Sequence, residues 1–312
     1  MRKLKFWALT MLSVVLLFVL VELISHLVLH KIYNRSFDSS IIEENKYITS
    51  PGLKGNASAK IWGKNFHTDE RGCRKSKTGY DAKKKTWLYI GDSVTEGVGV
   101  DDSSTFASLS ADEFTETNLL NYSLIGYSAA DYLNVLQSVL SKDSSVELVT
   151  LFFCLNDVYG GAKTSELPVM AKQNLLGKVN GLLQDRCAAY KLIKLFFYQN
   201  SSRYFDYDLQ FYTKQDEHFQ QTTCYIYSCD SLCKANNIYF NLVALPYRSQ
   251  LASHNFKPQT LLSDFCKTHD IDFSNAAQFL SKQADTKEFY LFADEIHFSE
   301  KGHRAIAEYL RQ

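Results

Sequence analysis

Apolar residues fall into two kinds of run along this chain. The first is a single long block from about Phe6 to Leu29, preceded by Met1-Arg2-Lys3-Leu4-Lys5. A run of roughly 20 apolar residues matches the hydrocarbon thickness of a bilayer when helical. The block is too long for a typical signal-peptide core, and no small-x-small cleavage pattern follows it. It predicts an uncleaved transmembrane anchor over residues 1–31, with its basic end in the cytoplasm and the body outside, in a periplasm or at the cell surface. Lys31 and Arg35 beyond the block keep the charge asymmetry modest, and a cleaved signal peptide is the alternative. Glu22 interrupts the block; a charge in lipid is costly, so its side chain is expected to be protonated or to face another helix.

The second kind of run is of strand length and alternates with helical spacing, the pattern of a mainly parallel sheet. Trp87 to Ile90, Leu119 to Tyr122, Val146 to Phe153 (VELVTLFF), Ile238 to Leu245 and Ile271 to Phe273 are the five runs. Val146 to Phe153 is the most apolar, as a central strand buried on both faces should be. Thr105 to Phe114 and Ala129 to Leu140 have helical apolar spacing, and Ser299 is placed to cap a last helix reaching Leu310. Residues 32–84 are polar and irregular, a linker leading into a domain over 85–312. The stretch 160–237 is long for one crossover and rich in Tyr and Phe, so it predicts a helical insertion near the site, a lid or substrate wall.

Composition narrows the function. Lys+Arg and Asp+Glu both total 34, so nothing in the net charge suggests a nucleic-acid partner. Of seven cysteines, an odd number, at least one stays unpaired within a single chain. Cys224, Cys229 and Cys233 lie close together but lack CxxC pairs and a neighbouring histidine at ligand spacing, His218 included. They read as thiols on a helix rather than as a metal site. There is no P-loop and no GxGxxG, so no metal or nucleotide cofactor is expected.

Gly91-Asp92-Ser93 closes the first strand run. A serine there projects into the crevice where α/β sheets bind ligands. To act as a nucleophile it needs a base, and the base needs an orienting partner. Asp294-Glu295-Ile296-His297 supplies both, because residues three apart can meet on one turn. No G-x-S-x-G surrounds Ser93, so this is not the usual nucleophile elbow. Taken singly, Ser93 reads equally well as a helix cap, Asp92 as a turn residue and Asn156-Asp157 as a strand-end turn.

Together these segments resemble the SGNH hydrolase superfamily, the GDSL-type esterases and acyltransferases, over about residues 65–312. The ordered blocks are Gly91-Asp92-Ser93, then Gly126 after Asn121, then Asn156-Asp157, then Asp294 to His297. The resemblance implies a flavodoxin-like three-layer α/β/α sandwich in which Ser93 attacks an acyl carbonyl, His297 relays its proton and Asp294 holds the imidazole. It also implies an oxyanion hole from the backbone N–H groups of Ser93 and Gly126 and the side-chain amide of Asn156. The family usually has glycine two residues before that Asn; here it is Cys154, from which tighter packing is expected. Gly72 and Arg74 resemble a Gly-x-Arg found upstream of the nucleophile in membrane-anchored bacterial members, with a turn and a solvated Arg as the alternative. His303 is expected on the surface of the last helix, and Pro246 to Gln250 either lines the pocket or forms a plain loop.

The implied activity is ester hydrolysis or O-acyl transfer through an acyl-enzyme, on short acyl groups such as acetyl borne by a small molecule or a cell-envelope glycan. The alternatives are a lipase on membrane lipids and a non-catalytic glycan-binding protein of the same fold.

Overall fold

The computed structural model describes residues 2–32, 35–158, 183, 186–198 and 202–312. Its first element is the helix Arg2–Ile32, whose portion Lys5–His30 is long and apolar enough to cross a membrane. At 1.5 Å per residue those 26 residues extend about 39 Å.

Two hairpins follow where the sequence reads as an irregular linker. Strands β1 (Ile42–Tyr47) and β2 (Ser50–Leu53) pair antiparallel, as do β3 (Ser58–Ile61) and β4 (Lys64–His67). Tyr47, Leu53, Ile61 and Phe66 are buried in the same core as the parallel sheet. Of residues 32–84, read as linker and domain entry, the two hairpins are folded onto the domain. Strands of four to six residues with charged outer faces offer too few apolar positions to announce themselves.

The five strand runs all form strands, and all pair in parallel. They are β5 (Lys85–Ile90), β6 (Thr117–Asn121), β7 (Val146–Phe153), β8 (Tyr239–Ala244) and β9 (Asp272–Asn275), in the spatial order β6-β5-β7-β8-β9. Renumbered within the sheet this is 2-1-3-4-5, the flavodoxin-like order. The most apolar run is the central strand, and Val149 to Phe153 are buried along it. On one face the helix Ala129–Leu140 packs with Glu217–Ala235; on the other Phe106–Ala111 packs with Glu300–Tyr309. Right-handed crossovers distribute helices to both faces in this way, giving three layers.

Within the expected insertion over 160–237 the described residues form the helices Ala188–Tyr198, Arg203–Asp208 and Glu217–Ala235. Residues 159–182 lie outside the described residues. Ala188–Tyr198 packs against the N-terminal helix rather than the sheet. Glu217–Ala235 is the crossover helix into β8, and it buries Phe219, Ile226, Cys229 and Cys233 against the core. The clustered cysteines thus follow helical spacing, with Cys229 and Cys233 one turn apart on the inner face.

Packing around β7 gives a direct test. The Phe152 ring lies 4.8 Å from the rings of both Tyr89 and Phe106 and is fully buried. Phe152→Ala leaves a cavity that these rings cannot fill and should cost about 3–5 kcal/mol, read by denaturant unfolding.

Candidate active site

In a sheet of this order, the crevice opens where adjacent crossovers diverge, between β5 and β7. Both strands end at the chemistry. After β5 the chain turns at Gly91, where a Cβ would sit 2.2 Å from Thr95 Oγ1 and 2.9 Å from the Phe152 carbonyl, so glycine is required. Asp92 then caps the short helix Ser93–Glu96 by accepting from Val94 N–H at 2.9 Å. That cap fixes Ser93 as the first helical residue, with its hydroxyl at the crevice floor.

Ser93 Oγ lies 2.9 Å from His297 Nε2, and His297 Nδ1 lies 3.0 Å from Asp294 Oδ2. A carboxylate only accepts, so Nδ1 carries the proton and Nε2 is left to accept from the serine hydroxyl. Asp294 Oδ1 accepts from the backbone N–H groups of Ile296 at 2.8 Å and His297 at 2.9 Å. One short turn therefore brings the Asp294 carboxylate and the His297 imidazole together, as the spacing suggests. Burial pushes the Asp294 carboxyl up, but His297, its hydrogen bonds and the nearby Arg35 outweigh burial and hold it well below the usual carboxylate range.

Two residues at this site are not singled out by the sequence. Arg35 Nη1 approaches Asp294 Oδ2 at 2.9 Å, and its Nη2 donates to the Phe292 carbonyl at 3.4 Å. Its guanidinium lies 4.7 Å from the ring centroid of Trp62, and that ring meets His297 edge-on at 4.7 Å. Trp62 sits at the tip of the β3–β4 hairpin with φ +52°, followed by Gly63 at +73°. The two-residue turn demands left-handed backbone at both positions. A bulky residue there is strained, so the tip trades some local stability for an indole against the His297 imidazole. Trp62 N–H donates to the Ser36 carbonyl at 3.0 Å, tying the tip to the segment that carries Arg35. A charge flanking an apolar block and a tryptophan in a polar stretch give no sequence signal of this role.

The oxyanion candidates also converge. Asn156 follows β7, and its amide donates to Asp92 Oδ2 at 3.3 Å while its carbonyl accepts from the Tyr247 hydroxyl at 3.3 Å. Gly126 has φ +86° with open space where a Cβ would project. Its loop is held by Glu96, whose Oε2 accepts from Ile125 N–H at 2.7 Å. Cys154, in place of the usual glycine, is buried, and its N–H donates to Asp157 at 2.7 Å. Burial pushes its thiol well up, so it packs as a small apolar group and leaves Asn156 in place.

Arg74 is buried at 5% exposure, which removes the solvated alternative. Its guanidinium donates to the carbonyls of Glu96, Gly97 and Val100 at 2.6, 2.5 and 2.7 Å and bonds Asp102 at 3.1 Å. It thereby braces the loop that follows the nucleophile. Gly72 turns at φ +85°, where a Cβ would meet the Leu53 carbonyl at 2.1 Å. His303, expected at the surface, is instead buried; its Nδ1 accepts from Phe106 N–H at 3.2 Å, and burial lowers it to about 3. It is a neutral packing group. The Pro246 to Gln250 loop supports the site from behind: Tyr247 bonds Asp208 at 2.5 Å, and Tyr290 donates to the Pro246 carbonyl at 2.7 Å. Two other clefts, of 320 and 270 Å³, lie around Arg71 to Tyr80 and around Phe265, away from the triad.

Two expectations follow from this geometry. Arg35→Ala removes a partly exposed partner of Asp294, an interaction worth up to about 1 kcal/mol. Steady-state kinetics on a soluble ester should show kcat falling roughly fivefold with KM little changed, and Arg35→Lys should recover part of it. Burial also pushes the Glu96 carboxyl up to about 8, against the pull of Arg74. Between its ordinary value of 4.5 and about 8 the folded chain keeps a proton that the unfolded chain has released. Stability from this group is therefore lost as pH rises through that window. The Tm of the wild type should drop relative to Glu96→Gln between pH 5 and pH 9; parallel Tm curves would contradict it.

Comparison with known proteins gives the chain's family. No curated protein matches the chain. Among solved structures 64 chains match. TesA shares 16% identity over 73% of this chain and 96% of its own, with a TM-score of 0.44. The psychrotrophic esterase EstA from Pseudoalteromonas sp. shares 13% over 73% and 95%, with a TM-score of 0.42. A mutant of Axe2, an acetyl-xylooligosaccharide esterase from Geobacillus, shares 15% over 73% and 93%, with a TM-score of 0.41. The family model described as GDSL-like lipase/acylhydrolase matches residues 88–310, from within β5 to the last helix, and the chain belongs to that family of serine ester hydrolases.

Proposed function

We propose that the chain is a membrane-anchored acyl-ester hydrolase or O-acyltransferase that works through an acyl-enzyme on Ser93, with short acyl groups such as acetyl on a cell-envelope glycan as substrate. The observation that carries the reading is the unbroken line from Ser93 Oγ to His297 at 2.9 Å and on to Asp294 at 3.0 Å. As Oγ bonds the ester carbonyl carbon, His297 Nε2 takes the hydroxyl proton. The carbonyl oxygen becomes an oxyanion facing the N–H groups of Ser93 and Gly126 and the amide of Asn156. Donors placed where charge develops are worth about 3 kcal/mol each. Collapse breaks the ester C–O bond, and His297 gives its proton to the departing alcohol. Water or a sugar hydroxyl then repeats the cycle on the acyl-serine, giving hydrolysis or transfer.

The short-acyl preference is supported by the closed setting of the nucleophile: Ser93 is only 6% exposed, with Trp62 against the neighbouring imidazole. The envelope setting rests on the N-terminal helix, read as an anchor whose basic end stays in the cytoplasm.

Treating the full chain in detergent with a fluorophosphonate probe tests the nucleophile: wild type should label and Ser93→Ala should not, and equal labelling would remove the assignment. A series of p-nitrophenyl esters should show kcat/KM falling sharply beyond acetyl or butyryl. Acyl-donor consumption that rises with added glycan acceptor marks a transferase, and consumption indifferent to acceptor marks a hydrolase.

A further inference from the structure

Besides the main core, a second apolar cluster joins three distant parts of the chain. Leu29 of the N-terminal helix is buried against Ala188 and Leu195, with Leu192 and Ala293 packed alongside. Ala293 immediately precedes Asp294 and holds left-handed backbone at φ +56°. The helix Ala188–Tyr198 is thus wedged between the apolar span and the catalytic turn.

The start of that helix is fixed by Glu22. The carboxylate of Glu22 accepts from the backbone N–H of Ala188, from that of Ala189 at 3.0 Å and from the Cys187 thiol at 3.4 Å. An acidic group on the first turn satisfies orphan donors and complements the helix dipole. The Glu22 expectation is met by a helix facing it, and accepting from three donors is the work of a carboxylate.

This contact also sets a level. A bilayer's hydrocarbon takes about 20 helical residues, so a span beginning near Phe6 leaves the lipid near Ser25. Glu22 lies within one turn of that boundary. The first turn of Ala188–Tyr198 is therefore at the lipid–water boundary, and the side chains on its outer face meet whatever lies there.

Those side chains are apolar. Ala188 and Leu195 turn inward toward Leu29, while Ile193 and Phe196, three residues apart on the opposite side, are 56% and 57% exposed. Phe196 stacks edge-on with Phe292 at 5.6 Å, and Phe292 is itself 43% exposed. An apolar side of this kind is what helices that lie in membrane interfaces present to the lipid.

We propose that Ile193, Phe196 and Phe292 form a second membrane contact, seated in the bilayer beside the anchor, which holds the catalytic turn of Asp294 and His297 at the lipid surface. The proposal rests on the anchor reading above and is independent of which ester is cleaved. Its occupant is the lipid itself, because the Glu22 contact places the patch at the membrane boundary and the cluster around Leu29 makes it continuous with the span. Two apolar contacts fix the domain's tilt as well as its tether, so substrates at headgroup height reach Ser93 in a constant orientation.

Photocrosslinking in the full chain tests this. p-Benzoylphenylalanine replaces Leu16, Ile193, Phe196 or Tyr239 in turn, with the protein reconstituted in phosphatidylethanolamine–phosphatidylglycerol vesicles. Leu16 reports the span, and Tyr239, exposed at the opposite end of the sheet, reports background. Mass spectrometry after irradiation should find lipid adducts from positions 16, 193 and 196 and none from 239. Adducts from 16 without any from 193 and 196 would overturn the second contact while leaving the anchor standing. No adducts from 16 would overturn both. Protein–protein crosslinks from 193 and 196 in place of lipid adducts would also overturn it, since the face would then serve a protein.

Discussion

The Asp294 carboxylate is the contact on which the rest of the site depends. Four donors converge on it: two backbone N–H groups on Oδ1, and His297 together with Arg35 on Oδ2. The backbone pair fixes the turn, so the imidazole is oriented by the same few residues that carry it. His297 and its hydrogen bonds, with Arg35 adding a positive charge, hold the carboxylate ionised against the cost of its burial. Because Arg35 also faces Trp62, and Trp62 faces His297, the segment leaving the N-terminal helix and the tip of the second hairpin close around the His297 imidazole. The hairpins earlier in the chain are therefore part of the site as well as a path into the domain.

Beneath the nucleophile the sheet ends in an unusual concentration of buried acids. Burial raises Asp92, Glu96 and Asp157, and each is tied to backbone that the site needs fixed: the cap at Val94, the Gly126 loop through Ile125, and the turn at Cys154. Arg74 supplies a buried cation near Glu96 and bonds three carbonyls of the loop after Ser93. An arrangement of this kind positions donors before the reaction starts, which is where oxyanion stabilisation has its largest effect. A cysteine in place of the usual glycine fits because a thiol raised by burial stays neutral and small.

The sheet was legible because its strands are buried on both faces and read as continuous apolar runs; Val146 to Phe153 and Ala129 to Leu140 match their elements end to end. That Ser93, Asp294 and His297 meet was legible because they lie at strand and turn ends in an ordered set. The hairpins were not, since strands such as Lys64–His67 carry one buried apolar residue each. Arg35, Trp62 and the burial of Arg74 and His303 depend on contacts between segments far apart in sequence. No periodicity reports such contacts.

The N-terminal helix, the helix Ala188–Tyr198 and the turn that carries Asp294 share one apolar cluster through Leu29, Leu195 and Ala293. Under the proposed mechanism Ser93 becomes acylated. The direct measurement is to mix the full chain with an activated acetyl ester, quench in acid within the first turnover, and locate the acetyl group by peptide mass spectrometry. The account predicts acetyl on Ser93, and its loss from the chain in His297→Ala. Acetyl on another residue, or steady turnover with no acyl-enzyme formed, would contradict it.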